Sequence, residues 1–409
     1  MSKTFCMAAW THSFVSPQGE RKACSISDKV IGVNTTLDEM WNGEDMKNIR
    51  KKMLNGETLE MCNRCDINVS TPVGTYRDFF NNTYQHLIND VKSKTNEDGL
   101  YEGLPINLSY MSNTCNFKCK MCWEGSSSQI QAEKIKNGIE INVLNQDERN
   151  RSMEIIKNEL YDENIYKNIT DLAWAGGEPL YWDVHWDMLG LLIRNDLAKN
   201  VSLMYNTNLS VVEYNGSSIY EYFKHFKKVD FGCSLDGTSN IGEWVRSNLN
   251  YNKWREHFSK MIDLRNNTNN IKVFLWVTVT TPTIFDFENL HELCKEFNVV
   301  PTISSCYTGE PFNLLTPRAF PKEMVRDVFN KFLNNHLNDS GEIIMAFKNY
   351  INFFLEQNFH ENDASYIEVF KSGIEKIKYL EENRPHSDIT FEDILKQHQP
   401  MYDFYKGIL

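Results

Sequence analysis

Residues 104–122 of the chain read LPINLSYMSNTCNFKCKMC. Apolar side chains recur at every second position, at Ile106, Leu108 and Tyr110, which predicts a strand. Three cysteines follow at the spacing C-x3-C-x2-C: Cys115, Cys119 and Cys122. Thiolates packed this closely repel one another unless a metal centre takes up their charge. The stretch therefore predicts a strand that runs directly into a metal or iron–sulfur site.

The number of cysteines in this loop matters as much as their spacing. A cubane cluster has four irons, so three cysteines leave one iron open for an exogenous ligand. Catalytic zinc sites keep a free position by the same logic, whereas structural zinc sites are closed. The alternative is a zinc site that a distant residue completes, because C-x-x-C groups are common in zinc sites. The spacing by itself leaves both readings open.

Five more strands are predicted downstream of the cysteine loop: Asp171–Ala175, Val201–Tyr205, Val229–Ser234, Lys272–Val279 and Val299–Ser304. Helical periodicity separates the strands, around residues 146–160, 184–196, 214–227, 251–265 and 287–297. This alternation predicts parallel βαβ units, and hence an α/β fold with a partial (β/α)6 barrel similar to a TIM barrel. In such barrels the chemistry lies at the C-terminal ends of the strands.

The regions on either side of the barrel differ from it in pattern. The first hundred residues are rich in cysteine, and the last hundred repeat apolar residues at helical spacing in 321–337, 341–357 and 363–381. The predicted organisation is a small Cys-rich domain over 1–100, an α/β core over 101–312, and a helical C-terminal extension over 313–409.

Polar motifs follow several of the predicted strands. Gly176-Gly177-Glu178 follows the second strand, and Asn206-Thr-Asn208 follows the third. Ser234 ends the fourth strand, and Arg246 comes shortly after it. Two glycines let the backbone approach a ligand closely, and a carboxylate or guanidinium binds a charged group. Each motif alone is a common turn, but together they place ligand-binding groups on the rim that carries the cysteine loop.

Composition restricts the class of protein. The chain has 409 residues and a formal net charge of −12 at pH 7. An acidic balance argues against sequence-independent binding to nucleic acid or to anionic membranes. No signal peptide is visible, and no apolar run approaches the roughly 20 residues that span a bilayer. We therefore expect a cytoplasmic protein whose cysteines stay reduced and serve as metal ligands or catalysts.

The motifs over roughly residues 104–310 resemble the radical S-adenosylmethionine (SAM) superfamily. The resemblance implies that Cys115, Cys119 and Cys122 bind a [4Fe-4S] cluster whose open iron is chelated by SAM. One electron from the reduced cluster would cleave SAM to methionine and a 5′-deoxyadenosyl radical, which abstracts a substrate hydrogen. The cofactor-binding residues that the resemblance implies are Met121, Gly176, Gly177, Glu178, Asn208, Ser234 and Arg246.

Four further cysteines lie in the first hundred residues: Cys6, Cys24, Cys62 and Cys65. From the residues alone they form one closed tetrathiolate site, either zinc or an iron–sulfur cluster. Their layout resembles the SPASM/twitch extension of radical SAM enzymes, although here the extension precedes the barrel and only four of the seven cysteines are present. The resemblance implies a second, auxiliary [4Fe-4S] cluster, with zinc as the alternative.

The resemblance implies a radical SAM oxidoreductase or maturase. Its substrate would be a small molecule or a peptide, changed by dehydrogenation, epimerisation or cross-linking, and its electron donor would be a protein such as flavodoxin or ferredoxin. Cys306, with Tyr307, follows the sixth strand and is a candidate donor of a hydrogen atom or proton, or else a buried thiol. The alternatives are a nucleic-acid or nucleotide-modifying radical SAM enzyme and a non-catalytic zinc-binding interaction protein.

Overall fold

The structure is a computed structural model that describes residues 4–67, 75–306, 314–384 and 388–409. The described ranges contain eleven strands: β1 (His12–Val15), β2 (Glu20–Lys22), β3 (Gly32–Val33), β4 (Asn107–Met111), β5 (Asp171–Ala175), β6 (Ser202–Thr207), β7 (Glu213–Tyr214), β8 (Ser217–Ser218), β9 (Lys228–Ser234), β10 (Ile271–Val279) and β11 (Pro301–Ser305).

The α-helices of the described residues fall into three groups along the chain. Those before β4 are Ala8–Thr11, Leu37–Trp41, Glu44–Leu54, Asn63–Ile67, Tyr76–Thr83 and Ile88–Ser93. Those between β4 and β11 are Ser128–Lys136, Gln146–Tyr161, Glu163–Tyr166, Asp183–Arg194, Ile219–Tyr222, Ser239–Val245, Tyr251–Asn266, Thr281–Ile284 and Phe287–Phe297. Those after β11 are Lys322–Asn335, Glu342–Leu355, Tyr366–Asn383, Phe391–Leu395 and Gln399–Ile408.

The first of two compact units comprises Met1–Thr114, Asn142–Tyr205 and Glu221–Val229. Its strands lie in the order β3-β2-β1-β4-β5-β6. Strands β4, β5 and β6 are parallel, as the βαβ pattern predicts, and β1 also pairs parallel with β4. Strands β2 and β3 then continue antiparallel. The Cys-rich segment is therefore joined to the core by shared strands, which the sequence pattern did not predict.

A buried ion pair links the N-terminal strands of this unit to the core. Glu159 accepts hydrogen bonds from Arg21 Nη2 at 2.6 Å and from the backbone N–H of Leu37 at 2.6 Å. Its other oxygen accepts from the hydroxyl of Tyr110 on β4 at 3.2 Å. Arg21 and Glu159 are 1% and 6% exposed. Such a pair is costly to break, because the remaining charge stays buried without a partner.

Replacing Glu159 by Ala is expected to destabilise the apoprotein by about 3–5 kcal/mol, because Arg21 loses its buried counter-charge. Chemical denaturation followed by circular dichroism measures this loss. The matched control is Glu163→Ala, which removes an exposed i,i+4 partner of Lys167 and should cost no more than about 0.5 kcal/mol. Similar losses in the two variants would contradict the role of the buried pair.

The second compact unit comprises Cys115–Ile141, Asn206–Tyr220 and Asp230–Leu409. Its strands β9, β10 and β11 are neighbours in that order, and β10 pairs parallel with β11. Helix Tyr251–Asn266 packs on β10, and helix Glu342–Leu355 packs on β11, where the hydroxyls of Tyr350 and Ser305 are 3.2 Å apart. The helices after β11 bury a cluster of aromatic side chains that includes Phe329, Phe347 and Phe354.

Each unit leaves one face of its strands more open than the other. On β10, Leu275 and Val277 are fully buried, whereas Phe274 and Trp276 are only half-buried. On β5, the alternate residues Leu172 and Trp174 are buried, and the residues between them are half-buried. Because side chains alternate between the two faces of a strand, the open face is the one that does not carry the packed core.

The predicted α/β fold, with mostly parallel strands and a helical C-terminal region, is confirmed. The predicted helix over 214–227 is wrong in its first part, where β7 and β8 form a hairpin. Asn215 and Gly216 have φ of 48° and 79°, the conformation that a tight Asn-Gly hairpin turn requires. The boundaries proposed for the three regions remain predictions. Among the described residues, no helix is long and apolar enough to cross a bilayer.

Candidate active site

The cysteine loop follows β4 in the chain and belongs to the second unit. Cys115 and Cys119 are buried, and Cys122 is half-buried. The backbone N–H of Phe117 donates to Cys115 Sγ at 3.4 Å, and the N–H of Cys122 donates to the carbonyl oxygen of Cys119 at 3.0 Å. Hydrogen bonds to cysteine sulfur are one of the means by which proteins tune iron–sulfur clusters.

Electrostatics in this loop favour a bound cationic centre. Cys119 and Cys122 share a hydrogen bond that, together with burial, raises the pKa of the Cys119 thiol well above its ordinary value. Two thiolates side by side in a buried loop are therefore unfavourable in the chain alone. A cluster whose irons bind both sulfurs removes that penalty, because it replaces the protons with positive charge. The donor set of the loop fits an iron–sulfur cluster.

Arg246 lies close to the same cysteines. Its Nε is 2.7 Å from Oδ2 of Asp236, and both residues are buried. Burial alone would lower the pKa of Arg246, but the Asp236 carboxylate and the neighbouring Cys119 raise it overall. The guanidinium thus stays charged beside the cysteine loop. Its proposed contact with the carboxylate or ribose of SAM remains a prediction, and Asp236 is a positioning partner that the sequence pattern did not single out.

The other predicted residues of the second unit lie around this loop or at strand ends. Asn208 donates through Nδ2 to Oδ1 of Asn116 at 3.1 Å, so it contacts the loop next to Cys115. Met121 lies within the loop, and Ser234 is the last residue of β9. Both are half-buried. Their assignment to SAM binding is not tested by these contacts.

Cys306 directly follows β11 and is buried. Its backbone N–H donates to the carbonyl oxygen of Val279 at 3.1 Å. Burial, with a smaller contribution from Asp236, raises the pKa of the Cys306 thiol to about 12. The thiol therefore keeps its proton at neutral pH. Its predicted companion Tyr307 lies outside the described residues.

The Gly-Gly-Glu segment belongs to the first unit, where it follows β5. Gly176 and Gly177 have φ of +71° and +55°, and a Cβ added to Gly177 would lie 2.3 Å from the carbonyl oxygen of Thr114. The N–H of Glu178 donates to that same oxygen at 2.8 Å. Glycine is therefore required here, because the turn lies directly on the residues that precede Cys115 in the chain. The buried Glu178 also accepts from the N–H of Leu180 at 3.0 Å.

The four N-terminal cysteines meet in the first unit at an apolar cavity of about 30 Å³. Arg77 also lines the cavity. The cavity-lining cysteines are Cys6, Cys24, Cys62 and Cys65. Their separation in sequence is bridged by three elements: β2, which ends just before Cys24, the short 3-10 turn Glu60–Cys62, and helix Asn63–Ile67.

The chemistry of this cavity also fits an iron–sulfur cluster. Burial, with the charges of Cys65 and Cys62, raises the pKa of Cys24 to about 11, and burial raises that of Cys6 further. Backbone N–H groups of Ala8 and of Ile26 donate to the sulfurs of Cys6 and Cys24. A cubane would bind each of the four thiolates to a different iron.

Sequence reasoning missed two buried cations in the second unit, Lys120 and Arg384. Lys120 lies between Cys119 and Met121 in the loop, and Arg384 follows helix Tyr366–Asn383. Both are almost completely buried. The sequence Lys-Cys-Lys around Cys119 was the only indication that cations lie near the cluster ligands, but lysines in loops are ordinarily exposed to solvent. The residues around Lys120 do not predict that its partner lies at residue 384.

Two family models match the chain. The model of the Radical SAM superfamily matches residues 109–297, which include the cysteine loop. The SPASM model, an iron–sulfur cluster-binding domain, matches residues 6–66, which include all four N-terminal cysteines. No curated protein matches the chain.

Several solved structures are similar to parts of the chain. anSMEcpe with bound AdoMet is 17% identical over 57% of this chain and 60% of that chain, with a TM-score of 0.37. Streptococcus suis SuiB bound to S-adenosylmethionine is 13% identical over 74% of this chain and 64% of that chain, with a TM-score of 0.36. The chain thus spans about three fifths of the length of these proteins. TM-scores this low carry no inference about substrate.

Proposed function

Because the chain belongs to the radical SAM superfamily and carries a SPASM-type iron–sulfur cluster-binding domain, we propose that it reductively cleaves SAM and uses the resulting radical to abstract a hydrogen atom from a small-molecule or peptide substrate. Its cofactors are SAM, a [4Fe-4S] cluster and an additional iron–sulfur cluster. One observation carries the proposal. Three cysteines, two of them buried, follow the strand at which the superfamily match begins, and they leave one iron of a cubane open.

The residues of the chain have distinct roles in this proposal. Cys115, Cys119 and Cys122 hold the catalytic cluster, which when bound supplies the electron that cleaves SAM. Arg246, held by Asp236 at 2.7 Å, presents a fixed positive charge for the carboxylate of SAM. Gly177 lets the backbone after β5 approach Thr114, so that the Gly-Gly-Glu segment presents backbone groups to the methionine amino group.

The substrate would bind against the open face of β10. In the second unit, Phe274 and Trp276 on β10 are half-buried, with ring centroids 6.0 Å apart. Aromatic side chains supply large apolar contact area to a ligand. The net charge of −12 favours a small or peptidic substrate over a nucleic acid.

The auxiliary cluster would be closed, because four cysteines occupy all four irons of a cubane. A closed cluster has no free iron for substrate. Its proposed role is to pass an electron to or from the substrate radical, or to order the wall of the pocket. Burial raises the pKa of Cys62 overall, and Arg77 at the same cavity opposes that rise, which favours the thiolate that iron needs.

Cys306 is the proposed donor of a hydrogen atom or proton to a substrate intermediate. Its raised pKa keeps the S–H bond intact, and its position just after β11 places it at the C-terminal end of a parallel strand. The variant Cys306→Ala tests this role by product analysis. Unchanged turnover and unchanged product would exclude Cys306 from the reaction.

Anaerobic purification and cluster reconstitution, followed by iron and sulfide counting and an assay for 5′-deoxyadenosine, test the proposed function. The expected result is about eight irons per chain, four for each cubane, with SAM cleaved when a reductant is supplied. A colourless zinc protein that does not cleave SAM would overturn the proposal. A protein with one cluster and one zinc ion would still be consistent with the proposed catalytic site and would contradict only the auxiliary cluster.

A further inference from the structure

Two lysines of the cysteine loop reach the C-terminal end of helix Tyr366–Asn383. Lys118 Nζ donates to the carbonyl oxygen of Asn383 at 2.9 Å, and Lys120 Nζ donates to that of Arg384 at 2.9 Å. The last carbonyls of a helix have no partner within it, and its C-terminus attracts cations. The loop that is proposed to hold the catalytic cluster therefore caps a helix of the C-terminal region.

Arg384 of the C-terminal region also donates a hydrogen bond to the cysteine loop. Its Nη1 donates to the carbonyl oxygen of Cys119 at 2.9 Å, and its Nε donates to both carboxylate oxygens of Glu133 at 2.9 and 3.1 Å. Arg384 is 2% exposed. Because Glu133 holds the planar guanidinium in one orientation, the contact to Cys119 is fixed in direction as well as in distance.

Lys120 uses all three of its N–H donors inside the protein. Besides the carbonyl of Arg384, its Nζ donates to the carbonyl oxygen of Trp244 at 2.8 Å and to Ser247 Oγ at 3.2 Å. Its backbone N–H donates to the carbonyl oxygen of Val245 at 2.8 Å. Lys120 is 3% exposed. The residues that separate Cys119 from Cys122 are therefore anchored by a buried cation whose donors are all satisfied.

We propose that Arg384 is a positioning residue for the catalytic cluster, and that it acts through the Cys119 carbonyl together with Lys120. This inference rests on the proposed function. Lys118 and Arg384 face the carboxylate of Glu133, and Lys120 interacts with the carboxylate of Glu381. Three cations therefore stand against two carboxylates, and the network carries net positive charge beside the cluster ligands. Positive charge favours the reduced, more negative cluster, and hydrogen bonding and net charge are established determinants of cluster potential. The network thus makes the cluster easier to reduce.

The test uses the reconstituted full chain. Arg384→Met alone leaves the buried Glu133 with only the longer contacts to Lys118 Nζ and the Tyr379 hydroxyl, both at 3.3 Å, and risks unfolding. The main variant is therefore Arg384→Met combined with Glu133→Leu. This pair of substitutions removes one positive and one negative charge, so the network keeps its net charge and loses the N–H donor to the Cys119 carbonyl. The expected result is a more negative midpoint potential for the SAM-responsive cluster in an EPR-monitored redox titration, with the auxiliary cluster of the same molecule unshifted. SAM cleavage should slow by about 10- to 100-fold, the usual effect of losing an outer partner of a metal site.

Two companion variants separate positioning from general stability. Arg384→Lys keeps the positive charge and an N–H donor, so its midpoint potential should be close to that of the wild type. It loses the planar guanidinium that contacts Glu133 and the Cys119 carbonyl at the same time. Arg326→Met removes an exposed arginine of helix Lys322–Asn335 that pairs with Glu323, and it should change neither cluster. A folded double variant with a wild-type midpoint and cleavage rate would overturn the inference while leaving the proposed function intact. Wild-type protein without a SAM-responsive cluster would overturn both.

Discussion

Cys119→Ala is expected to reduce 5′-deoxyadenosine formation to the background of the assay, and to lower the bound iron from about eight to about four per chain. Cys119 is buried in the cysteine loop, and its thiol shares a hydrogen bond with Cys122. With only Cys115 and Cys122 remaining, the loop has too few thiolates to hold a cubane and leave only one iron open. Iron and sulfide analysis with a chromatographic assay for 5′-deoxyadenosine measures both losses.

The matched control for this variant is Cys294→Ala. Cys294 is also a fully buried cysteine, but it lies in the core face of helix Phe287–Phe297, and burial raises its pKa to about 12. Its loss should cost some stability through a small cavity and leave eight irons in place. If Cys119→Ala retained full iron and SAM cleavage, the catalytic cluster could not be bound by this loop.

The double variant Cys62→Ala and Cys65→Ala is expected to lose about half of the bound iron while reductive cleavage of SAM continues. These cysteines line the apolar cavity of the first unit together with Cys6 and Cys24. Two remaining thiolates cannot hold a cubane there, whereas Cys115, Cys119 and Cys122 are untouched. Iron counting, EPR spectra with and without SAM, and the 5′-deoxyadenosine assay measure the result.

The outcome of this second experiment separates the two clusters. The residual EPR signal should still respond to added SAM, because the open iron belongs to the remaining cluster. Loss of all SAM cleavage in a folded double variant would show that the N-terminal site is needed for SAM cleavage itself, which contradicts a role confined to the later steps. Retention of eight irons would contradict the assignment of Cys62 and Cys65 as ligands.

Much of the fold could be predicted from periodicity alone. The predicted strand Asp171–Ala175 is found with the same bounds, and helix Phe287–Phe297 matches its predicted range. Both carry strong patterns, with alternate buried residues in the strand and a continuous apolar stripe in the helix. The predicted helix is wrong at Asn215-Gly216 because the short strands of the hairpin have too few residues to show a period of two.

The pairing of β1 with β4 could not be predicted for a different reason. Residues His12–Val15 are all buried in the fold, but their sequence, His-Ser-Phe-Val, is too short and mixed to show a period of two and fits a helix equally well. Parallel pairing joins segments that lie far apart in the chain, here Ser13 with Leu108. The choice of partner therefore depends on the complete packing of the unit, including the buried pair of Arg21 and Glu159.

The sequence by itself determined that two sets of cysteines bind metal centres, because ligand number and spacing can be read directly from the chain. Iron–sulfur clusters and SAM, in place of zinc, followed from the resemblance to the radical SAM superfamily. Only the tertiary structure decided how the loop is held. Arg384 donates to the Cys119 carbonyl, more than 260 residues away in the sequence. Lys120 is buried against backbone carbonyls that the sequence around it does not predict. Buried charges must find distant partners to offset their desolvation, and that requirement is met only in the folded chain.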